Sequence, residues 1–365
     1  MTKHTRTTKR SKKAQAPAEK RWTVGIDLGD QWSRYCVLDE EGEIAEEGRF
    51  KTTPGALTKH FADSERMRIA LEAGTHSLWV SEHLRQFGHE VLVANAREIR
   101  AITHSDSKSD QLDAEKLARY ARVDPKILHP ITHRSLEMQR SLNVVRARDV
   151  LVRMRTMVVN AVRGLVKPCG HRLPICSTES FAGRCRADLP EELLTIVEPL
   201  LKQIELATAQ IALCDKRIEE LADGVYRETK ALRKIPGVGA LTALTYVLTV
   251  ADKRRFPHSR DVGCYLGLRP RRSQSGGCDP QLSITKAGDQ YLRKLLVQSA
   301  HYVLGHYGPD SALRQWGQRI YERGGKNAKK RAIIAVARKL SILLHRLWVT
   351  QAEYVPFYEV EKQVA

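Results

Sequence analysis

The sequence predicts an α/β domain at the N-terminal end joined to all-α regions. Three observations carry this: short apolar runs interleaved with helical patterns over the first third, long stretches of alternating three- and four-residue apolar spacing through the middle, and basic amphipathic segments toward the C-terminus.

Taken in order, "WTVGIDL" from Trp22, "SRYCVLD" and "GEIAEEGRF" read as three antiparallel strands, with Glu41-Gly42 turning the second into the third. A helix opened by Pro54 follows, then a buried strand "MRIALEA", an amphipathic helix from Ser77 to Phe87, a strand "EVLVANA", and a helix running from Asp110 toward Ala121. The order βββαβαβα is that of the ribonuclease H fold.

The middle of the chain is helical. Val144, Ala147, Leu151, Met154, Val158, Ala161 and Leu165 form one heptad seam; Leu193, Val197, Leu200, Ile204, Ala207, Ile211, Cys214, Ile218 and Leu221 form another. A connection from Pro168 to Pro190 separates them, which predicts an antiparallel coiled-coil hairpin that either packs within one chain or dimerises. Pro199 predicts that the second helix begins or kinks there. From Lys230, "IPGVGALTALTYVLTV" places Gly237 and Gly239 between two helical stretches, as in a helix-hairpin-helix turn that offers backbone N–H groups to a phosphate. A plain helix-to-helix turn needs the same glycines. Further on, a helix with the apolar face Ile333, Val336, Ala337, Leu340 and Leu344 follows a basic entry, leaving Lys326, Lys329, Lys330 and Arg331 to meet a backbone. The expected organisation is a basic arm over 1–21, a catalytic α/β domain over 22–125, a helical coiled-coil region over 126–229, a mainly helical C-terminal domain over 230–350, and a tail over 351–365.

Charge narrows the partners. With 61 Lys and Arg against 42 Asp and Glu, the chain carries +19 over 365 residues, an excess that points to nucleic acid. Seven cations and one acid within the first twenty residues put +6 on the arm. No apolar run reaches the roughly 18 residues that span a bilayer, so no membrane partner and a cytoplasmic location, close to the nucleoid, are expected. The seven cysteines show no CxxC pairs and form no disulfide framework. Cys169, His171, Cys176 and Cys185 cluster in sequence but match no common zinc spacing; they read as thiols of a linker, outside the mechanism.

Asp27 lies mid-strand in "GIDLG", and a carboxylate in an apolar run is costly unless something neutralises it. Glu72 ends the strand expected beside it. Asp110 and Asp113, at i and i+3, face one side of the last helix, although either alone could simply favour the helix dipole. Together the four would bring a charge of about −4 to one sheet edge, which two Mg²⁺ ions would balance while activating a nucleophile and stabilising a leaving oxygen. Asp30 and Asp106 are the nearest decoys.

The segment "YLGLRPRRSQSGGCDPQLSITKAGDQYLRKLLVQSAH" resembles the C-terminal domain of the DEDD insertion-sequence transposases, with their LGL-P, SGG and I-[ST]-K-x-G-D-x-Y-L-R pattern. "GIDLG", Glu72 after a strand, and "KSDQLDAEKLA" resemble the N-terminal, RuvC-like half of the same family, so the likeness extends from about Trp22 to Trp348. The resemblance implies that Asp27, Glu72, Asp110 and Asp113 bind metal and that Ser275 is a nucleophile that forms serine-linked DNA intermediates. It further implies a homo-oligomer, dimer or tetramer, with a composite site, acting on element ends and target DNA paired to a structured guide RNA. Lys108, Gly237, Gly239, Arg269, Arg271, Arg272, Gly276, Gly277, Lys286 and Arg293 are then candidate nucleic-acid contacts, though the cations could equally be solvated charges. One departure is Cys278, where many relatives carry Lys.

Two other readings use the same residues differently. A structure-specific nuclease of the junction-resolvase type needs the acids alone, and an inactive nucleic-acid-binding scaffold needs only the charge and the helices.

Overall fold

The computed structural model describes residues 22–96, 110–275, 278, 280 and 282–357. Lys108, Gly276, Gly277 and the N-terminal arm lie outside the described residues. The chain divides into two compact units, 1–136 and 137–365.

The first unit is built on a five-stranded sheet of order β3-β2-β1-β4-β5. Strands β1 (Thr23–Asp27), β2 (Trp32–Leu38) and β3 (Ile44–Lys51) are antiparallel, while β4 (Arg68–Glu72) and β5 (Glu90–Ala94) continue parallel to β1. Between β2 and β3 the chain turns at Gly42, whose φ of +93° suits glycine, and the Asp39 carboxylate accepts from the Gly42 and Glu43 amides. Helix α1 (Pro54–Phe61) is capped by Thr53, with Pro54 in the first turn, where its missing N–H costs nothing.

Strand alternation divides the work of the two faces. Val24, Ile26, Tyr35, Phe50, Ile69 and Leu71 pack with Leu57 and Phe61 of α1 and with Val80 and Leu84 of α2 (Ser77–Gln86). The opposite face takes α3 (Asp110–Val123): Ala114 and Ala118 meet Cys36 and Leu38, while Leu117 and Ala121 meet Ala70 and Ala94. Small residues let this helix come very close. A Cβ at Gly25 would sit 1.9 Å from the Ala114 carbonyl oxygen, so only glycine fits beneath α3. This mixed α/β unit is compatible with a ribonuclease H-like domain.

The second unit is helical. Its long elements are α4 (Leu136–Val166) and α6 (Glu191–Glu220), with the short α5 (Phe181–Asp188) between them. Val159, Val162 and Val166 pack with Phe181, Cys185, Val197, Leu201 and Ile204, so these helices share a core within one chain. The seam expected on α6 coincides with its buried stripe at Val197, Ile204, Ala207, Ile211 and Ile218, while Leu201 is buried where the seam expects Leu200. On α4 the buried stripe is Leu142, Val145, Arg155, Val159, Val162 and Val166, one residue out of step with the expected seam, whose Ala147, Met154, Ala161 and Leu165 are exposed. The reason is charge: the true stripe passes through Arg148 and Arg155, which do not read as interface residues. Arg148 pairs with Asp215, and Arg155 Nη1 donates to Thr208 Oγ1 at 3.1 Å and lies 3.2 Å from Glu179. Nor does α6 begin at Pro199; it starts at Glu191 and carries the proline inside. Pro199 is exposed, so water can satisfy the carbonyl it leaves without a donor.

The rest of the second unit surrounds a core of Tyr246, Leu248, Leu292, Leu296, Val336, Leu340 and Leu344. It comprises α7 (Thr229–Leu232), α8 (Ala240–Val250), α9 (Ser259–Tyr265), α10 (Gln290–Leu304), α11 (Ala312–Glu322) and α12 (Ala328–Thr350). Gly237, at φ +83° before α8, lies against Tyr302 and the Ser299 carbonyl. The Tyr246 hydroxyl, fully buried, donates to the Ser341 carbonyl at 2.7 Å. No helix among the described residues is long and apolar enough to cross a membrane.

Candidate active site

Register fixes the first two acids. Gly25 pairs with Ala70 in the parallel β1–β4 ladder, and both residues face α3, so Asp27 and Glu72, each two positions further on, emerge on the same face at the carboxyl ends of adjacent strands. Above that edge stands the first turn of α3, which carries Asp110 and Asp113.

The electrostatics tie the four together. The Asp27 carboxyl is pushed up to about 6, first by burial, then by the negative charges of Asp110, Asp113 and Glu72, with Arg34 offsetting part of the effect. Arg34 is the cross-strand partner of Asp27 and its Nε lies 4.0 Å from an Asp110 oxygen. Lys116 Nζ lies 3.7 Å from Asp113. Among the described residues Arg34 and Lys116 thus each approach one of the acids.

An all-carboxylate donor set on one face suits a hard divalent cation, and the repulsion on Asp27 that Arg34 only partly offsets is what such a cation would remove. Among the described residues no three His, Cys, Asp or Glu side chains are already gathered tightly enough to cage an ion. Asp110 and Asp113 are the adjustable pair, with side chains 77% and 41% exposed. Asp30 is set apart from this group: it is 93% exposed and contacts His76 at 3.4 Å. Asp106 lies outside the described residues.

The serine segment forms a separate locus in the second unit. The Arg271 amide donates to the Ser283 carbonyl and the Thr285 amide to the Arg269 carbonyl, both at 2.9 Å, which makes the two flanks an antiparallel pair. Farther out, Ser275 and Cys278 exchange backbone hydrogen bonds of 3.2 and 3.1 Å, and the Ser275 side chain belongs to an exposed residue. The base of this hairpin is tightly closed. Gly267 and Gly288 adopt φ of +69° and +68°, and a Cβ at Gly288 would lie 2.2 Å from the Tyr265 carbonyl oxygen. Asp289 caps α10 through the Leu292 amide at 2.7 Å and pairs with Arg146. The Gly-Asp of the I-T-K-A-G-D motif is thus explained by backbone geometry and capping.

The expected cationic contacts separate into two groups. Arg269, Arg271, Arg272 and Lys286 are exposed around the hairpin. Arg293 is committed elsewhere: its Nη1 donates to the carbonyls of Leu266 at 3.0 Å and Ala287 at 2.6 Å, bracing the hairpin base. Arg34 was missed by motif reading; the β1–β2 register is what places it opposite Asp27. Cys185 packs in an apolar core with its thiol pushed up to about 11 by burial, which is the environment of an inert cysteine.

Comparison with known proteins follows the same division. The IS110-type DEDD transposase model matches residues 24–169, and the model described as Transposase IS116/IS110/IS902 family matches residues 229–316. The transposase for insertion sequence element IS1328 of Yersinia enterocolitica is 27% identical over 339 residues, covering 92% of this chain and 98% of that protein. The transposase for insertion sequence element IS1111A of Coxiella burnetii is 26% identical over 340 residues, with 91% and 90% covered. A pilin gene-inverting protein of Moraxella bovis is 24% identical over 290 residues, with 78% and 80% covered. With both halves matched by transposase models and relatives aligned over nearly their whole length, the chain belongs to the DEDD insertion-sequence transposase family, enzymes that transpose and recombine DNA.

Proposed function

We propose that this transposase cuts and rejoins DNA with Asp27, Glu72, Asp110 and Asp113 holding two Mg²⁺ ions and Ser275 as the nucleophile. The observation that carries the reading is the shared face of the four acids, where burial first and then the negative charges of Asp110, Asp113 and Glu72 push the Asp27 carboxyl up to about 6. When bound, the ions would supply stabilisation of the charge that develops on phosphoryl oxygens. The chain's own part is to hold those acids on the rigid β1–β4 edge and the first turn of α3, and to present Ser275 on a closed hairpin. Its hydroxyl oxygen forms an ester to phosphorus as the bond to one bridging oxygen breaks, and a deoxyribose hydroxyl reverses the exchange, so the phosphodiester's energy is conserved. Arg269, Arg271, Arg272 and Lys286 flank the serine and neutralise the phosphates beside it.

Two finer parts of the reading rest on the family resemblance. A structured RNA encoded by the element pairs with donor and target DNA and supplies sequence choice, which agrees with the +19 charge of the chain. The active form is a homo-oligomer, dimer or tetramer, in which the acids of one protomer meet the serine of another; the exposed Val150, Met154, Met157 and Leu165 of α4 are available to the interface.

Substituting Ser275 with Ala tests the chemistry. The variant loses the covalent protein–DNA product seen on denaturing gels and loses strand joining, whereas a plain nuclease would continue to cut with the acids alone. Undiminished cleavage by the variant would refute the serine role.

A further inference from the structure

A groove of about 1280 Å³ in the second unit is used by none of the chemistry above. One wall is made by both flanks of the serine hairpin, Leu268 and Pro270 on one side and Leu282 and Ile284 on the other, and the opposite wall by α11 and α12. Its rim carries Arg323, Lys326, Lys330, Arg331, Arg338 and Lys339, and among the described residues no Asp or Glu lines it. None of these six cations is in an ion pair among the described residues. Three details describe that rim. Lys339 is held below its ordinary pKa by burial and by Arg319, Arg338 Nε is buried with no hydrogen-bond partner among the described residues, and Lys339 Nζ rests 4.3 Å from the Trp316 ring.

The floor has the opposite character. Trp316, Ile320, Ile334 and Ile342 make it apolar and aromatic. A duplex keeps its base faces stacked and would leave such a floor wet, whereas an unpaired strand offers phosphates to the rim together with a base face and a sugar to the floor. An isoleucine floor favours the sugar without a 2′-hydroxyl, since that group would be desolvated there without a partner.

We propose that this groove binds unpaired single-stranded DNA, with phosphates held by Lys326, Lys330, Arg331 and Arg338 and a base against Trp316, so that the strand reaches the foot of the serine hairpin. The inference rests on DNA being the substrate of the family and does not depend on the metal or serine roles. Its test therefore reads binding in the presence of a chelator, where no strand is cut.

The probe is a fluorescein-labelled short oligothymidylate titrated against the full-length protein by anisotropy, beside the matching RNA and a blunt DNA hairpin. Replacing both Lys326 and Lys330 with Ala weakens the single strand at least tenfold and lowers the slope of log affinity against log salt by roughly 1.4, two contacts' worth. Trp316→Leu weakens the single strand roughly tenfold, leaves the hairpin duplex unchanged, and is rescued by Trp316→Tyr. In the unsubstituted protein, 5-bromodeoxyuridine crosslinks to peptides of α11 or α12. Wild-type affinity in the lysine variant, equal weakening of strand and duplex in Trp316→Leu, equal or tighter binding of the RNA strand, or crosslinks confined to other peptides would each overturn the proposal. The crosslink and the lysine variant decide the matter should Trp316→Leu fail to fold.

Discussion

Asp27 sits where its own charge is costly, and on the proposed function that cost serves the binding of a cation. Its carboxylate is partly buried, and the charges around it are mostly of its own sign. Asp27→Asn removes that repulsion while keeping the shape, so the cation-free variant melts at a higher temperature than the wild type at pH 7 and has no strand-cleaving activity. Added Mg²⁺ raises the melting temperature of the wild type, by up to about 2.7 kcal/mol of stability at a hundredfold excess over its Kd, and leaves that of the Asp27→Asn variant unmoved. His345 makes a second case, with no catalytic part. It is 1% exposed, its Nε2 lies 2.9 Å from the Lys253 carbonyl and its Nδ1 3.0 Å from the Ser259 hydroxyl. The carbonyl can only accept, so Nε2 carries the proton and Nδ1 accepts from the serine. Burial holds the folded pKa below the ordinary histidine value of 6.5, so the unfolded chain takes up a proton that the folded one refuses. Its contribution to stability is complete above pH 6.5 and is lost as the pH falls below it, and His345→Gln flattens that part of the pH–melting curve. Of these residues, Asp27 was legible because a charge inside an apolar strand demands an explanation. Arg34 and Arg293 were not, since a cation's partner depends on what the fold brings opposite it.

At the scale of elements, the decisive contact is α3 on β1. The helix can deliver Asp110 and Asp113 to the strand edge only because Gly25 has no side chain and because Ala114 and Ala118 are one turn apart on the helix face toward the sheet. Gly25→Ala puts a methyl 1.9 Å from the Ala114 carbonyl oxygen, a distance no rotamer relieves. The variant loses at least about 2 kcal/mol in urea denaturation, and its cleavage rate falls with no change at any acidic residue. Recovery of full activity in that variant would mean that α3 need not sit so close. The strands and helices of this unit follow from period and turn residues, because one face of the sheet packs on α1 and α2 and the other presents Gly25, Cys36, Ala70 and Ala94 among the residues toward α3. The middle helices were harder. On α4 two apolar stripes run one residue apart, and periodicity alone selects the wrong one, since the right one contains Arg148 and Arg155. Their partners, Asp215, Thr208 and Glu179, come from elements far along the chain.

For the whole molecule, the two units divide the proposed chemistry: the first holds the acids on its sheet edge, and the second carries the serine hairpin and the basic groove. Each has its own apolar core, so a change that damages one need not unfold the other. Long-range charge is what serves both. Of the total of +19, the first twenty residues carry +6, seven cations less one acid, and these charges need no fixed geometry to attract a phosphate backbone. Deleting them therefore weakens duplex DNA binding at all sequences alike, with no change in which phosphate is cut. By counterion release each phosphate contact contributes about 0.9 to the slope of log affinity against log salt, so the deletion lowers that slope by at most roughly 5. Titrations of full-length and shortened protein from low to physiological salt measure it directly. Convergence of the two affinities at high salt identifies the arm as a purely electrostatic tether; a constant ratio at every salt concentration would show instead that the arm makes contacts of fixed geometry.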